Sequence, residues 1–214
     1  LGRHRIPRDS EFTRHDRVKA GYCPTTLTIA QAEARLSRAR LYPRALIAAM
    51  ALVLAGCAGV APDDYAGETP EFRIEEYFDG RVQAWGMFQA RNGEVRRRFT
   101  VDIDGTVEGD RITLDERFRY ADGETDRRVW TFERVDQHTW NGSANDVEGN
   151  VEARQYGNAF HMRYPLDIEV SGRTLTFTMD DWMYLVTPDT LINETTMTKW
   201  GFDVGEIVLV IQKR

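Results

Sequence analysis

The sequence predicts an all-β fold, an antiparallel up-and-down meander of about 8–10 strands. Three observations carry that expectation. Turn-forming pairs recur along the chain beyond residue 79: Asp79-Gly80, Asn92-Gly93, Asp104-Gly105, Gly109-Asp110, Asp122-Gly123, Glu148-Gly149, Gly157-Asn158 and Ser171-Gly172. The runs between most of them are rich in Val, Thr, Phe, Tyr and Trp, residues that suit a pleated surface. No long helical period interrupts them, so parallel βαβ units are not expected.

Register tests the hairpins one by one. Around Asn92-Gly93, Phe88, Gly86, Ala84 and Val82 meet Arg97, Phe99, Val101 and Ile103. Across Asp122-Gly123 a two-residue turn sets Trp130 and Phe132 opposite charged residues. An odd loop with a bulge is expected instead, pairing Leu114 with Phe132 and Glu116 with Trp130. Around Ser171-Gly172, Phe160, Tyr164, Leu166 and Ile168 meet Met183, Met179, Phe177 and Leu175, and one face is apolar throughout. On the other face Arg163 meets Asp180, an exposed cross-strand pair. A slip of one residue scrambles both faces, so the register is well specified. A meander of this length leaves exposed edges unless the sheet closes on itself. A closed lipocalin-like barrel is therefore expected, with a two-sheet β-sandwich as the alternative.

The barrel is preceded by a signal-peptide helix. Ala45 to Ala55 is an uncharged, mostly apolar run behind Arg38, Arg40 and Arg44. A bilayer-spanning helix needs about 20 apolar residues, so this run fits the short core of a secretory signal. It ends Leu54-Ala55-Gly56-Cys57, which matches the bacterial lipobox. The match implies cleavage between Gly56 and Cys57 and attachment of acyl groups, palmitate among them, to Cys57. Ala58 in place of Asp points to the outer membrane, with the domain facing the periplasm. The domain reading is a mis-called or disordered leader over 1–40, a lipoprotein signal peptide over 41–56, a tether over 57–71 and the β-barrel over 72–214.

Charge and composition exclude several functions. Residues 1–56 hold 10 Lys and Arg against 4 Asp and Glu, and residues 57–214 hold 18 against 30. An acidic domain is a poor partner for nucleic acid. Beyond Cys57 there is no cysteine, hence no disulfide framework and no thiol nucleophile. His138 and His161 are isolated, so neither a metal site nor a Ser-His-Asp arrangement is assigned, and no cofactor is expected. Trp85, Trp130, Trp182 and Tyr184 read mainly as core packing.

Two carboxylates interrupt otherwise apolar faces. Glu116 lies among Ile112, Leu114, Phe118 and Tyr120, and Asp181 among Leu175, Phe177, Met179 and Met183. A buried carboxylate needs a partner or it takes up a proton. Arg97 and Arg128 share the inward faces of nearby strands. With Trp130 and Tyr164 these four residues form the candidate ligand pocket. The competing reading is a structural ion pair near the barrel mouth, or a bulge that turns the carboxylates outward.

The segments "FDGRVQAWGMFQARNGEVRRRFTVDIDG", "RRVWTFER", "YGNAFHMRYPL" and "DDWMYLVTPDTLINETTMTKWG" resemble a family of bacterial lipoproteins, domain of unknown function 3833. The resemblance runs from about Tyr65 to Val210. It implies a small lipid-anchored envelope protein whose genes lie near those of membrane-lipid-modifying enzymes. The family has no assigned activity, so no catalytic residue carries over. The expected function is a lipid-anchored envelope lipoprotein, tied to the membrane through Cys57, that binds or carries a small apolar ligand or acyl chain. The chain is not expected to be an enzyme. The alternative is a non-catalytic scaffold for an envelope protein partner that modifies lipids.

Overall fold

The computed structural model describes residues 59–170 and 172–214. The expected leader, signal-peptide helix and Cys57 lipidation site lie outside the described residues. Ten antiparallel strands run in order: β1 (Gly80–Ala90), β2 (Val95–Glu108), β3 (Arg111–Tyr120), β4 (Thr125–Arg134) and β5 (Thr139–Ala144) are followed by β6 (Val151–Tyr156), β7 (Ala159–Val170), β8 (Arg173–Thr187), β9 (Thr190–Lys199) and β10 (Phe202–Lys213). Each pairs with the next, and β10 pairs with β1 from Val82↔Lys213 to Ala90↔Gly205. The sheet is thus a closed barrel, and the sandwich alternative is excluded. Closure gives the first and last strands of the meander a partner.

The expected hairpins around Asn92-Gly93 and Ser171-Gly172 have the registers read from the sequence. Several expectations are corrected. Gly105 is not in a turn but inside β2, where the Phe78 carbonyl oxygen would lie 1.7 Å from any Cβ added to it. The β3–β4 hairpin pairs Leu114 with Trp130 and Glu116 with Arg128, two residues away from the expected register. Its loop is Ala121, Asp122 and Gly123, with Gly123 at φ +90° and the Tyr120 N–H donating to Glu124 O at 2.9 Å. That three-residue loop with a left-handed glycine sets the register, and a slip of two keeps every side chain on its face, so alternation alone does not detect it. Finally, Trp85 is not core but faces outward and is 44 % exposed, and Trp182 and Tyr184, which alternate with inward Asp181 and Met183, lie on the outer face as well. On the outside, too, Asp180 receives a hydrogen bond from His161 Nε2 at 2.8 Å rather than pairing with Arg163, its cross-strand neighbour.

The segment before β1 plugs one end of the barrel. A 3-10 turn at Pro62–Tyr65 docks Tyr65 against Trp182 and Tyr184, with ring centroids 5.7 and 5.4 Å apart. Part of the expected tether is therefore packed against the domain. Phe72 follows, fully buried, then the short helix α1 (Ile74–Tyr77) and Phe78. Polar contacts hold this plug, among them Arg134 paired with Glu75 and Lys213 Nζ donating to Glu76 O at 2.8 Å. The Phe72 N–H donates to Gly157 O at 2.7 Å and the Ile74 N–H to Gln155 Oε1 at 3.0 Å. The Tyr77 hydroxyl donates to Ile211 O (2.8 Å) or Asp189 O (3.1 Å). Gly157 sits at φ +51°, with Tyr65 O only 1.9 Å from where a Cβ would be. The plug covers the end where β6 turns into β7. The loops at 91–94, 121–124, 145–150 and 200–201 gather at the other end, the mouth.

If the plug is part of the cooperative core, Phe72→Ala leaves a cavity costing about 3–5 kcal/mol. Urea unfolding measures it. A loss below about 1 kcal/mol would mean that the plug docks on a barrel already stable without it.

Candidate functional site

Between plug and mouth the barrel encloses a cavity of about 630 Å³. Ile74 and Phe78 of the plug form part of its lining, and Phe88, Phe99, Val101, Phe177, Met179 and Met197 line its apolar walls. Period-two alternation puts these residues inside, and it does the same for Glu116 on β3 and Asp181 on β8. Both carboxylates face the cavity. The outward-bulge reading is therefore excluded.

Asp181 is 5 % exposed and held by neighbours from two strands. The Asn193 amide on β9 donates to it, and the Tyr164 hydroxyl on β7 donates at 3.3 Å. Burial pushes its pKa above the usual carboxylate range, and hydrogen bonds from Asn193, Thr195 and Tyr164 oppose that shift. The Tyr164 phenol is pushed well above its ordinary value, first by burial and then by Asp181. Its ring meets Trp130 edge-on, centroids 5.3 Å apart.

Glu116 lies opposite Arg128 in the ladder, but Arg128 turns elsewhere. Its Nε donates to Asp146 Oδ2 at 2.8 Å, and a second guanidinium nitrogen lies 2.7 Å from the same oxygen. The reason is in the wall. β5 ends at Ala144, paired with Trp130, so β4 has no strand beside residues 125–129 on that flank. The loop at 145–150 fills the gap: Val129 N–H donates to Asn145 Oδ1 at 2.6 Å, and Val147 bridges to Leu166 on β7. Asp146 on this loop captures Arg128.

No hydrogen bond among the described residues acts on the Glu116 carboxyl. It keeps some surface open to the cavity while protein surrounds it. Burial pushes its pKa from 4.5 up to about 7, Arg128 pulls it down, and Asp181 and Asp146 push it further up. Arg97 is corrected as a partner for Glu116. It lines the mouth, where its Nε donates to Asp122 Oδ2 at 3.1 Å, its guanidinium also pairs with Glu124, and it lies 3.5 Å over the Tyr120 ring.

The structure thus brings together Glu116, Arg128, Trp130, Tyr164 and Asp181, and places Arg97 apart at the mouth. Sequence reasoning missed Asn193, Thr195 and Asp146. The first two were detectable, since Leu191, Asn193, Thr195 and Met197 alternate inward along β9. Asp146 lies in a loop and has no periodic signal. Among the described residues no group of three or more His, Cys, Asp or Glu is arranged to hold a metal ion. Chemically the cluster offers a carboxyl that exchanges a proton near neutrality, with a second carboxyl, a phenol and an amide beside it.

A stability profile checks the state of Glu116. The folded carboxyl titrates at about 7 and the unfolded one near 4.5. Between those values the folded state binds more protons, so this group lowers stability as pH rises through the window. The full penalty above it is about 3 kcal/mol. Glu116→Gln is expected to be the more stable protein at about pH 8 and to match the wild type below about pH 4.5. Urea unfolding across this range tests it, and parallel profiles for the two proteins would contradict the assignment.

Among curated proteins none matches the chain. Among solved structures it is similar to the S-type phycobiliprotein lyase CPES from Guillardia theta, with a TM-score of 0.47 and 10% identity, over 66% of this chain and 91% of that one. The expectation that the chain is not an enzyme is corrected on this finding: the similar protein is named a lyase, and the non-enzymatic reading is withdrawn. No activity is transferred to this chain by the likeness. The family of proteins of unknown function DUF3833 matches residues 51–213, most of the sequence, and the chain belongs to that family.

Proposed function

We propose that this chain is a lipid-anchored protein of the bacterial envelope whose barrel holds one small ligand with an apolar chain. The observation that carries the ligand reading is the cavity of about 630 Å³. Binding pockets for small molecules run to about 300–1,000 Å³, mostly apolar with a few convergent polar groups. Here the walls are Phe, Met, Val and Leu side chains, and the polar groups converge around Glu116 and Asp181. Barrels of this kind either fill the interior with side chains or hold a ligand, and the open volume favours the second.

The anchoring half rests on sequence. Leu54-Ala55-Gly56-Cys57 closes an apolar run of signal-peptide length behind three arginines. Acyl chains on Cys57 would hold an acidic domain at a membrane it has little other affinity for, since each buried CH₂ contributes about 0.8 kcal/mol. Ala58 supports the outer membrane, with the barrel in the periplasm.

Two measurements test the two halves separately. Native mass spectrometry of gently extracted protein is expected to show one bound small molecule per chain. Ile207→Trp, which places a bulky ring on the cavity wall, is expected to reduce occupancy about tenfold. An empty wild-type barrel sinks the ligand reading. For the anchor, cells fed labelled palmitate are expected to label the wild type but not Cys57→Ser. Equal labelling of both proteins would exclude Cys57 as the attachment point.

A further inference from the structure

We infer that the ligand carries a cationic head: the cavity selects an amphiphile with an ammonium group over a free fatty acid. This rests on the ligand-binding reading above and adds the chemistry of the polar end.

The first support is the balance of charge around the cavity. Five carboxylates face it or its mouth, against two guanidinium groups. Beside Glu116 and Asp181 these are Glu124, Asp126 and Asp146, while Asp167 and Glu169 alternate to the outer face of β7 at the rim. Both guanidinium groups are already engaged. Arg97 is held by Asp122 and Glu124, and Arg128 by Asp146. An entering anion therefore meets no unengaged cation. A mouth lined by one sign of charge attracts ligands of the other sign and repels its own.

The second support is the Glu116 carboxyl itself. It faces the cavity, lacks a hydrogen-bond partner, and stands two positions from Phe118 on the same inward face. Trp130 and Tyr164 add two more rings to the lining. A carboxylate among aromatic rings suits an ammonium group. The ring faces attract the cation, and the carboxylate gains the partner its own strand pairing fails to supply. A fatty-acid carboxylate in the same place would sit against Glu116 and Asp181, and like charges brought together without water are strongly disfavoured. A neutral alcohol avoids that repulsion but brings no charge to balance Glu116, whose neighbouring cation, Arg128, is bonded to Asp146.

Three probes with the same alkyl chain separate these cases: decyltrimethylammonium, decanol and decanoate, each titrated calorimetrically into the full chain below its micelle-forming concentration. The expected order of affinity is cation, alcohol, carboxylate, with the cation at least about tenfold tighter than the carboxylate. Glu116→Gln is expected to weaken the cation about tenfold and to leave decanol within about twofold. Equal affinities, or tighter binding of decanoate, overturn the head-group inference and leave chain binding standing. Cation binding unchanged in Glu116→Gln removes Glu116 from the site and overturns the inference as stated. Failure of all three probes overturns the ligand reading as well. If Glu116→Gln does not fold, the wild-type ranking still decides for or against a cationic head.

Discussion

The ladder between β1 and β10 is the contact on which the rest of the architecture depends. Nine hairpin connections make a meander, but only this pairing of the first strand with the last turns the meander into an enclosure. It gives both edges a hydrogen-bonded partner, which removes the main liability of a long β-sheet. It also creates an inside with two open ends. The segment 72–78 closes one of them, held by Gly157, Gln155 and Ile211 through hydrogen bonds and by Phe72 through burial. The barrel becomes polarised, with a packed floor and an accessible mouth. That polarity is what makes an interior site reachable without unfolding anything.

A second asymmetry is laid on the first. β5 and β6 are six residues each, while their neighbours run to ten and twelve. On the mouth side the wall between β4 and β7 is therefore completed by a loop. A strand there would have put a regular side chain beside Arg128. The loop instead presents Asp146, and Arg128 leaves its ladder partner for it. The unpaired state of Glu116 is thus a consequence of strand length two elements away. Topology, not the local sequence of β3, decides the electrostatics of the site.

This explains which parts were legible in the sequence. Alternation is a local property, and it put Glu116, Asp181, Trp130 and Tyr164 on the inner face because each strand carries its own pattern. Turn chemistry located most hairpins, and the registers at Asn92-Gly93 and at Ser171-Gly172 followed from it. The β3–β4 register did not, because a slip of two residues preserves both faces and only loop geometry separates the options. Gly105 resembled a turn residue because glycine serves two purposes, and close approach by the plug leaves no mark on the strand's own pattern. Trp85 was misplaced because composition was weighed over alternation: the register that turns Ala84 and Gly86 inward turns Trp85 outward. Asp146 and the Arg128 contact belong to a long-range geometry that no local period encodes.

The energetic position of Glu116 finally bears on what the site is for. A buried carboxyl with no hydrogen-bond donor costs stability at neutral pH even with Arg128 nearby, and leucine or methionine in its place would fill the same space without that cost. Asp181 is different: Asn193, Thr195 and Tyr164 satisfy it, so it belongs to a closed network that orients side chains. Two carboxylates in one cavity therefore have unlike standing, one completed by the protein and one left incomplete. The incomplete one faces open volume rather than packed atoms. A group in that state needs either a proton or a partner from outside. Both make the occupancy of the cavity sensitive to charge, so the head group of a ligand, more than its chain, should govern which molecules the barrel retains.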